Sequence, residues 1–117
     1  VSQDTLDLIH ERLRELIHEQ GTAIEDILVC PHDDRDQCEC RKPKPGLLLQ
    51  AASRHGIDLS QSILIGDSER DIAAGQSAGC RTILLGRSAG GDWKHIPDIT
   101  AQTWNDIRPS HGNCLLP

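Results

Sequence analysis

The sequence of 117 residues contains no Phe, Tyr or Met, and its aromatic side chains are Trp93 and Trp104. The hydrophobic core must therefore be aliphatic and modest, so that a bound metal ion would help to stabilise it. No apolar run reaches the roughly 18 residues of a membrane-spanning helix, which argues against one. No basic segment leads into an apolar one at the N-terminus, so we expect no signal peptide.

Positive charge is also in short supply. The chain has 12 Lys and Arg residues against 18 Asp and Glu residues, which gives a formal net charge of −6. Nonspecific nucleic-acid binding depends on a basic surface and often on aromatic stacking, so a nucleic-acid partner is disfavoured. The chain has five cysteines, and several of them lie close together. This grouping fits a metal site in a reducing compartment better than a disulfide framework, so we expect a cytoplasmic protein.

The apolar pattern predicts alternating helices and strands. We predict helices over 4–20, 47–55 and 69–78 and strands at 27–29, 62–65 and 82–85, with a last short strand near 96–99 and a frayed tail at 109–117. Such alternation is typical of a parallel α/β sheet, in which ligands bind beyond the carboxyl ends of the strands. Cys30 and Asp67 each follow a predicted strand, so we expect both to lie on the same rim.

The most distinctive motif is Cys-x-His-x5-Cys-x-Cys. Three thiolates and one imidazole complete the tetrahedral shell of a structural Zn²⁺ ion, and the ligands here would be Cys30, His32, Cys38 and Cys40. The alternative is a set of reactive or accidental cysteines in a polar loop. A basic segment stiffened by two prolines follows directly, so we predict a zinc-binding loop over residues 30–46.

Two further groups of charged residues indicate a site for phosphate and a cation. In the basic segment, Arg41 can donate to two phosphate oxygens at once, whereas a lysine supplies a point charge. Asp67 and Asp71 lie one helical turn apart after a strand, so they can face the same point, and carboxylates there suit Mg²⁺. The alternatives are a solvated basic loop and carboxylates that only cap the helix and offset its dipole.

Together these motifs resemble the zinc-containing phosphatases of the haloacid dehalogenase superfamily. The resemblance rests on C-x-H-x5-C-x-C-R-K-P-K-P-G-L-L and I-G-D-S-E-R-D-I-A-A-G-x-x-A-G, and it covers roughly residues 4–90. It implies a Rossmann-like parallel-sheet fold and an Mg²⁺-dependent phosphomonoesterase acting on a phosphorylated sugar. The branch resembled most is the heptose bisphosphate phosphatases, with the histidinol-phosphate phosphatases as the alternative.

The resemblance also implies a role for individual residues. Lys42 would neutralise the nucleophile and the transferring phosphoryl group, and Arg41 would contact a substrate phosphate. Asp67 would bind Mg²⁺, and Asp71 would orient the lysine or a metal-bound water. Ser68 stands where the heptose enzymes often have a basic residue, and Arg70 is a candidate to compensate.

Two hallmarks of the family do not occur in the sequence. Family members begin with a strand ending in D-x-D, whose first Asp is the nucleophile, and a second strand ends in Thr or Ser before Asn. We therefore expect residues 1–117 to form a partial phosphatase domain that lacks its first two strands, has a gap in its sheet and is inactive by itself. The alternative function is a non-catalytic, zinc-stabilised binding module.

Overall fold

A computed structural model of the chain describes residues 2–29, 42–107 and 113–115. Its α-helices and β-strands are, in chain order, α1 (Gln3–Glu19), α2 (Gly46–His55), β1 (Ser62–Gly66), α3 (Glu69–Ala78), β2 (Arg81–Leu85), β3 (Ile99–Ala101) and β4 (Asn113–Leu115). The three predicted helices and the strands predicted at 62–65 and 82–85 are confirmed, and β3 begins where the last short strand was expected. Within the described ranges, no helix is long and apolar enough to cross a membrane.

The four strands form one sheet in the order β3-β2-β1-β4. All pairings are parallel: Ile65 of β1 lies opposite Ile83 of β2, and Ile63 of β1 lies opposite Cys114 of β4. The predicted parallel α/β class is therefore confirmed. Because parallel strands end at one edge, Gly66 at the end of β1 lies on the rim where ligands bind in sheets of this kind.

Alternation along the strands divides the core between the two faces of the sheet. On one face, Leu64 and Leu84 are buried with side chains of α2 and α3. On the other face lie Ile63, Ile65, Ile83 and Ala101. Helix α3 approaches the sheet closely, since a Cβ atom at Gly75 would lie 2.8 Å from Thr82 Cγ2. This contact fixes the height of α3 above the sheet, and with it the position of its first turn.

The prediction of a strand at residues 27–29 is wrong. Residues 22–29 have no regular secondary structure, and Val29 is 45% exposed. A strand needs a neighbour to satisfy its backbone groups, and the two edges of β1 are taken by β2 and β4. Since β4 lies in the tail that was expected to be frayed, that expectation is wrong for residues 113–115. The edge of β1 where we expected a gap is thus paired.

Helix α1 is amphipathic, as predicted, and none of its residues is buried. Ser2 caps its N-terminus, with Oγ accepting from the Thr5 N–H at 3.1 Å. Arg14 donates to the carbonyl oxygen of Ile24 at 3.2 Å, which ties α1 to the irregular segment that follows it. The sheet with α2 and α3, not α1, therefore positions the candidate site.

Candidate active site

The candidate site begins at the carboxyl end of β1. A Cβ atom at Gly66 would lie 2.3 Å from the Cβ atom of Asp71 and 2.6 Å from its Oδ2 atom. A side chain at residue 66 is therefore incompatible with the observed position of Asp71. Ser68 caps α3, because its Oγ accepts from the N–H of Asp71 at 3.3 Å. The turn from β1 into α3 thus places the Asp71 side chain directly behind the rim.

Asp71 is a buried carboxylate with a partner at each oxygen. It is 2% exposed. Its Oδ2 atom accepts from the backbone N–H of Asp67 at 3.0 Å, and its Oδ1 atom lies 2.5 Å from Lys42 Nζ. Burial by itself raises the pKa of Asp71, but the Lys42 ammonium and the hydrogen bond from the Asp67 N–H outweigh it, so that this pKa is lowered. Asp71 is therefore ionised at neutral pH and fixes a cation beside it.

Lys42 is held through its backbone as well as its side chain. The ammonium group faces Asp71, and 41% of the side chain is exposed. The backbone carbonyl oxygen of Lys42 accepts a hydrogen bond from the guanidinium of Arg70. Two consecutive residues in the first turn of α3 therefore contact the same lysine. The structure thus brings together Lys42 and Asp71, the two residues to which sequence analysis assigned catalytic roles.

Asp67 is the residue at this rim that fits a magnesium ligand. It is exposed at the end of β1, whereas both oxygens of Asp71 already have protein partners. The described residues contain no group of three or more His, Cys, Asp or Glu side chains that could hold a metal. Mg²⁺ is commonly held by one or two carboxylates together with waters and substrate phosphate. A single carboxylate at Asp67 is compatible with that mode of binding.

The segment between β2 and β3 is attached to the start of α3. The backbone N–H groups of Lys94 and His95 donate to Glu69 Oε2 at 2.6 and 3.0 Å. Arg87 lies over the ring of Trp93, 5.2 Å from its centroid. These contacts fix a second loop beside the first turn of α3 and so support that turn.

The predicted zinc ligands and the predicted phosphate-binding arginine lie outside the described residues. They are Cys30, His32, Cys38, Cys40 and Arg41. Their roles stay predictions. The described residues resume at Lys42, so Lys42 is the first residue of the basic segment with a described position.

Asp26, Arg54 and His55 form a second cluster, which was not predicted from the sequence. The side chain of His55 is 23% exposed, and its Nε2 atom lies 2.7 Å from Asp26 Oδ2. Arg54 donates to the same oxygen at 3.1 Å. His55 and then Arg54 lower the pKa of Asp26 to about 2. The cluster attaches segment 22–29 to the end of α2, and residues so far apart in sequence leave no local pattern that could have revealed it.

The parallel α/β sheet carries the Lys42–Asp71 pair and the exposed Asp67 at its carboxyl rim, the arrangement expected from the resemblance to the haloacid dehalogenase phosphatases. In agreement, the model of the HAD-hydrolase-like family matches residues 39–107, more than half of the chain. The chain belongs to this family.

Individual relatives indicate a narrower group. D-glycero-beta-D-manno-heptose-1,7-bisphosphate 7-phosphatase of Pseudomonas aeruginosa is 45% identical over 80 residues, which are 68% of this chain and 45% of that protein. The histidine biosynthesis bifunctional protein HisB of Campylobacter jejuni is 31% identical over 94 residues, 80% of this chain and 26% of that protein. The chain thus spans about half the length of the heptose phosphatase relative.

A solved structure resembles the fold. The crystal structure of the D,D-heptose 1,7-bisphosphate phosphatase from B. bronchiseptica, complexed with magnesium and phosphate, matches with a TM-score of 0.73 and 31% sequence identity. The match covers 84% of this chain and 58% of that one. The fold of the chain is therefore that of a heptose bisphosphate phosphatase over the shared part.

Proposed function

We propose that this chain is the part of a phosphomonoesterase that contains its catalytic lysine and its magnesium ligand. The enzyme would remove the 7-phosphate of D-glycero-D-manno-heptose 1,7-bisphosphate. The observation that carries the proposal is the Lys42–Asp71 pair, with 2.5 Å between Nζ and Oδ1, beside the exposed carboxylate of Asp67. The similarity to heptose phosphatases supports the substrate, and the magnesium and phosphate in the B. bronchiseptica structure support the metal and the chemistry. The product would be a precursor of the lipopolysaccharide core, made in the cytoplasm.

Each residue would act through charge. The Lys42 ammonium would stabilise negative charge on the transferring phosphoryl group, and Asp71 would keep that ammonium aimed at the site. Arg41 would bind a substrate phosphate through two donors. Asp67 would hold Mg²⁺, which supplies a divalent charge against the phosphate oxygens when bound. A fixed charge of this kind needs no reorganisation during the reaction, which is why its loss lowers the rate steeply.

The proposal is tested by supplying the part of the site that the sequence does not contain. Since no D-x-D pattern follows an apolar strand, we expect the chain by itself to release no phosphate. A fusion to the N-terminal part of the Pseudomonas aeruginosa relative should hydrolyse the heptose bisphosphate only with Mg²⁺. In that fusion Lys42→Ala should lower kcat by about 10²–10³. Lys44→Ala, the neighbouring lysine, should have a much smaller effect.

Several outcomes would decide against the heptose phosphatase. Hydrolysis of histidinol phosphate in preference to the heptose bisphosphate would favour the alternative substrate, which the similarity to the histidine biosynthesis protein makes the second candidate. No hydrolysis of either substrate by a folded fusion would favour a non-catalytic binding module. A Lys42→Ala variant within about threefold of the parent, a loss under about 1 kcal/mol, would remove the lysine from the mechanism.

We further propose that Cys30, His32, Cys38 and Cys40 bind one structural Zn²⁺ ion and so fix the loop 30–46 within a partial phosphatase domain of residues 1–117. The support is the ligand set and its spacing in the sequence. Elemental analysis of the purified protein should find about one zinc per chain. Cys38→Ser should release the metal, and Cys114→Ser, which lies outside the ligand set, should retain it. A folded protein without zinc would contradict this proposal.

A further inference from the structure

We propose that Arg70 is a positioning residue for Lys42, in that its guanidinium holds the Lys42 backbone while Asp71 holds the Lys42 side chain. The consequence for catalysis rests on the proposed phosphatase function. Arg70 and Asp71 are adjacent in the first turn of α3, and they contact opposite ends of the same residue. The first turn of α3 therefore fixes both the backbone position of Lys42 and the position of its ammonium group.

The turn that carries both residues is itself rigidly placed. The Ser68 hydroxyl caps it through the Asp71 N–H at 3.3 Å, and the Asp67 N–H donates to Asp71 Oδ2 at 3.0 Å. The absence of a side chain at Gly66 lets β1 approach to within contact of Asp71. Because this turn is fixed to the sheet, the hydrogen bond from Arg70 also fixes the Lys42 backbone relative to the sheet.

No regular secondary structure holds the backbone of Lys42, so a contact from another element can fix it. Residues 42–45 have no regular secondary structure, and Pro43 and Pro45 have no backbone N–H to donate. The side chain of Lys42 is flexible and 41% exposed. One contact at the ammonium would leave the backbone free to shift, whereas a second contact at the carbonyl oxygen fixes both ends. A shift of about 1 Å in a charged catalytic group can cost about a hundredfold in rate.

This role differs from the one that the sequence indicated for Arg70. By its resemblance to the heptose enzymes, Ser68 stands where a basic residue is often found, and Arg70 was the candidate to compensate. In the structure the guanidinium donates to the backbone carbonyl oxygen of Lys42. The hydroxyl at Ser68 serves as the helix cap.

The proposal is tested by NMR on the labelled full chain, comparing the parent with Arg70→Ala, Arg70→Lys and the control Arg81→Ala. Arg81 is also an exposed arginine, but it begins β2 at the far end of the sheet. In Arg70→Ala we expect the backbone order parameter at Lys42 to fall from about 0.85 to below about 0.6. The carbonyl ¹³C resonance of Lys42 should move upfield as its hydrogen bond is lost. Arg70→Lys keeps a charged donor and should restore most of both signals, and Arg81→Ala should change neither.

The amide signal of Ile65 in β1 reports whether each variant is folded, so a local change at Lys42 is not confused with unfolding. An unchanged Lys42 in folded Arg70→Ala, or a Lys42 that is already mobile in the parent, would overturn the proposal. In the active fusion, Arg70→Ala should lower kcat at least about tenfold with little change in KM. An inactive fusion with the expected NMR changes would reject the phosphatase and keep the positioning role; an active fusion with unchanged NMR signals would do the reverse.

Discussion

Replacing Asp71 by Asn should destabilise the chain by about 2 kcal/mol at pH 7. Each oxygen of this buried carboxylate has a partner: Oδ2 accepts from the Asp67 N–H at 3.0 Å, and Oδ1 forms an ion pair with Lys42 Nζ at 2.5 Å. An Asn side chain has only one acceptor oxygen. Its amide group must therefore face either the Lys42 ammonium or the Asp67 N–H, and in both cases two donors meet.

The magnitude follows from the exposure of the two partners. A hydrogen bond to a charged group contributes about 1.5–3 kcal/mol, and removing one member of a fully buried ion pair costs about 3–5 kcal/mol. Lys42 is not fully buried, because 41% of its side chain is exposed. Water can therefore solvate the ammonium that Asn leaves unpaired, which reduces the loss toward the lower range.

The loss is measured as the change in the free energy of unfolding from urea titrations followed by circular dichroism. Asp58→Asn is the matched control, because Asp58 is an exposed N-cap of the short 3-10 helix Leu59–Gln61, and its Oδ1 accepts from the Ser60 N–H at 3.0 Å. Asn caps helices as well as Asp does, so this change should cost less than about 0.5 kcal/mol. If Asp71→Asn lowers the free energy of unfolding no more than the control does, then the account of Asp71 as a buried carboxylate with a partner at each oxygen is wrong.

The pH dependence gives an independent check of sign. The pKa of Asp71 is lowered from its ordinary value of 3.8 in the folded chain. Ionised Asp71 therefore contributes its full stabilisation above 3.8, and that contribution is lost as the pH falls through the lowered folded pKa. The difference between the parent and Asp71→Asn should accordingly be constant near neutral pH and shrink in acid. A difference that grows on acidification would contradict the assignment.

Two other changes test the packing of α3 and the attachment of segment 22–29. Gly75→Ala should gain about 1 kcal/mol of unfolding free energy from helix propensity but lose more to overpacking, since its methyl would lie 2.8 Å from Thr82 Cγ2. Urea titration should show a net loss of about 1 kcal/mol. The control Ser77→Ala, at an exposed position of the same helix, should not destabilise the chain. Asp26→Asn should lower the melting temperature at pH 7, because it removes the negative charge that pairs with Arg54 and His55. Because the pKa of Asp26 is lowered from 3.8 to about 2, that difference should fade as the pH falls through this interval, and a melting temperature equal to the parent's at pH 7 would contradict the role of the cluster.

The sequence by itself determined the elements whose signals are local. Helical spacing of apolar residues located α1, α2 and α3, and short apolar runs bounded by glycine or polar residues located β1 and β2. The parallel class followed from their alternation. The position of Asp67 at the carboxyl rim followed as well, because in such sheets the residue after a strand end lies on the ligand-binding edge.

Only the tertiary structure decided which residues meet. Lys42 pairs with Asp71. Arg70 contacts the carbonyl oxygen of Lys42, 28 residues away in sequence, and His55 contacts Asp26, 29 residues away. The same holds for β4, whose three residues carry little pattern of their own but pair with the edge of β1. The prediction of a strand at 27–29 was wrong because apolar residues form a strand only where a neighbouring strand pairs with their backbone groups. The local sequence does not specify that neighbour, which depends on the tertiary fold.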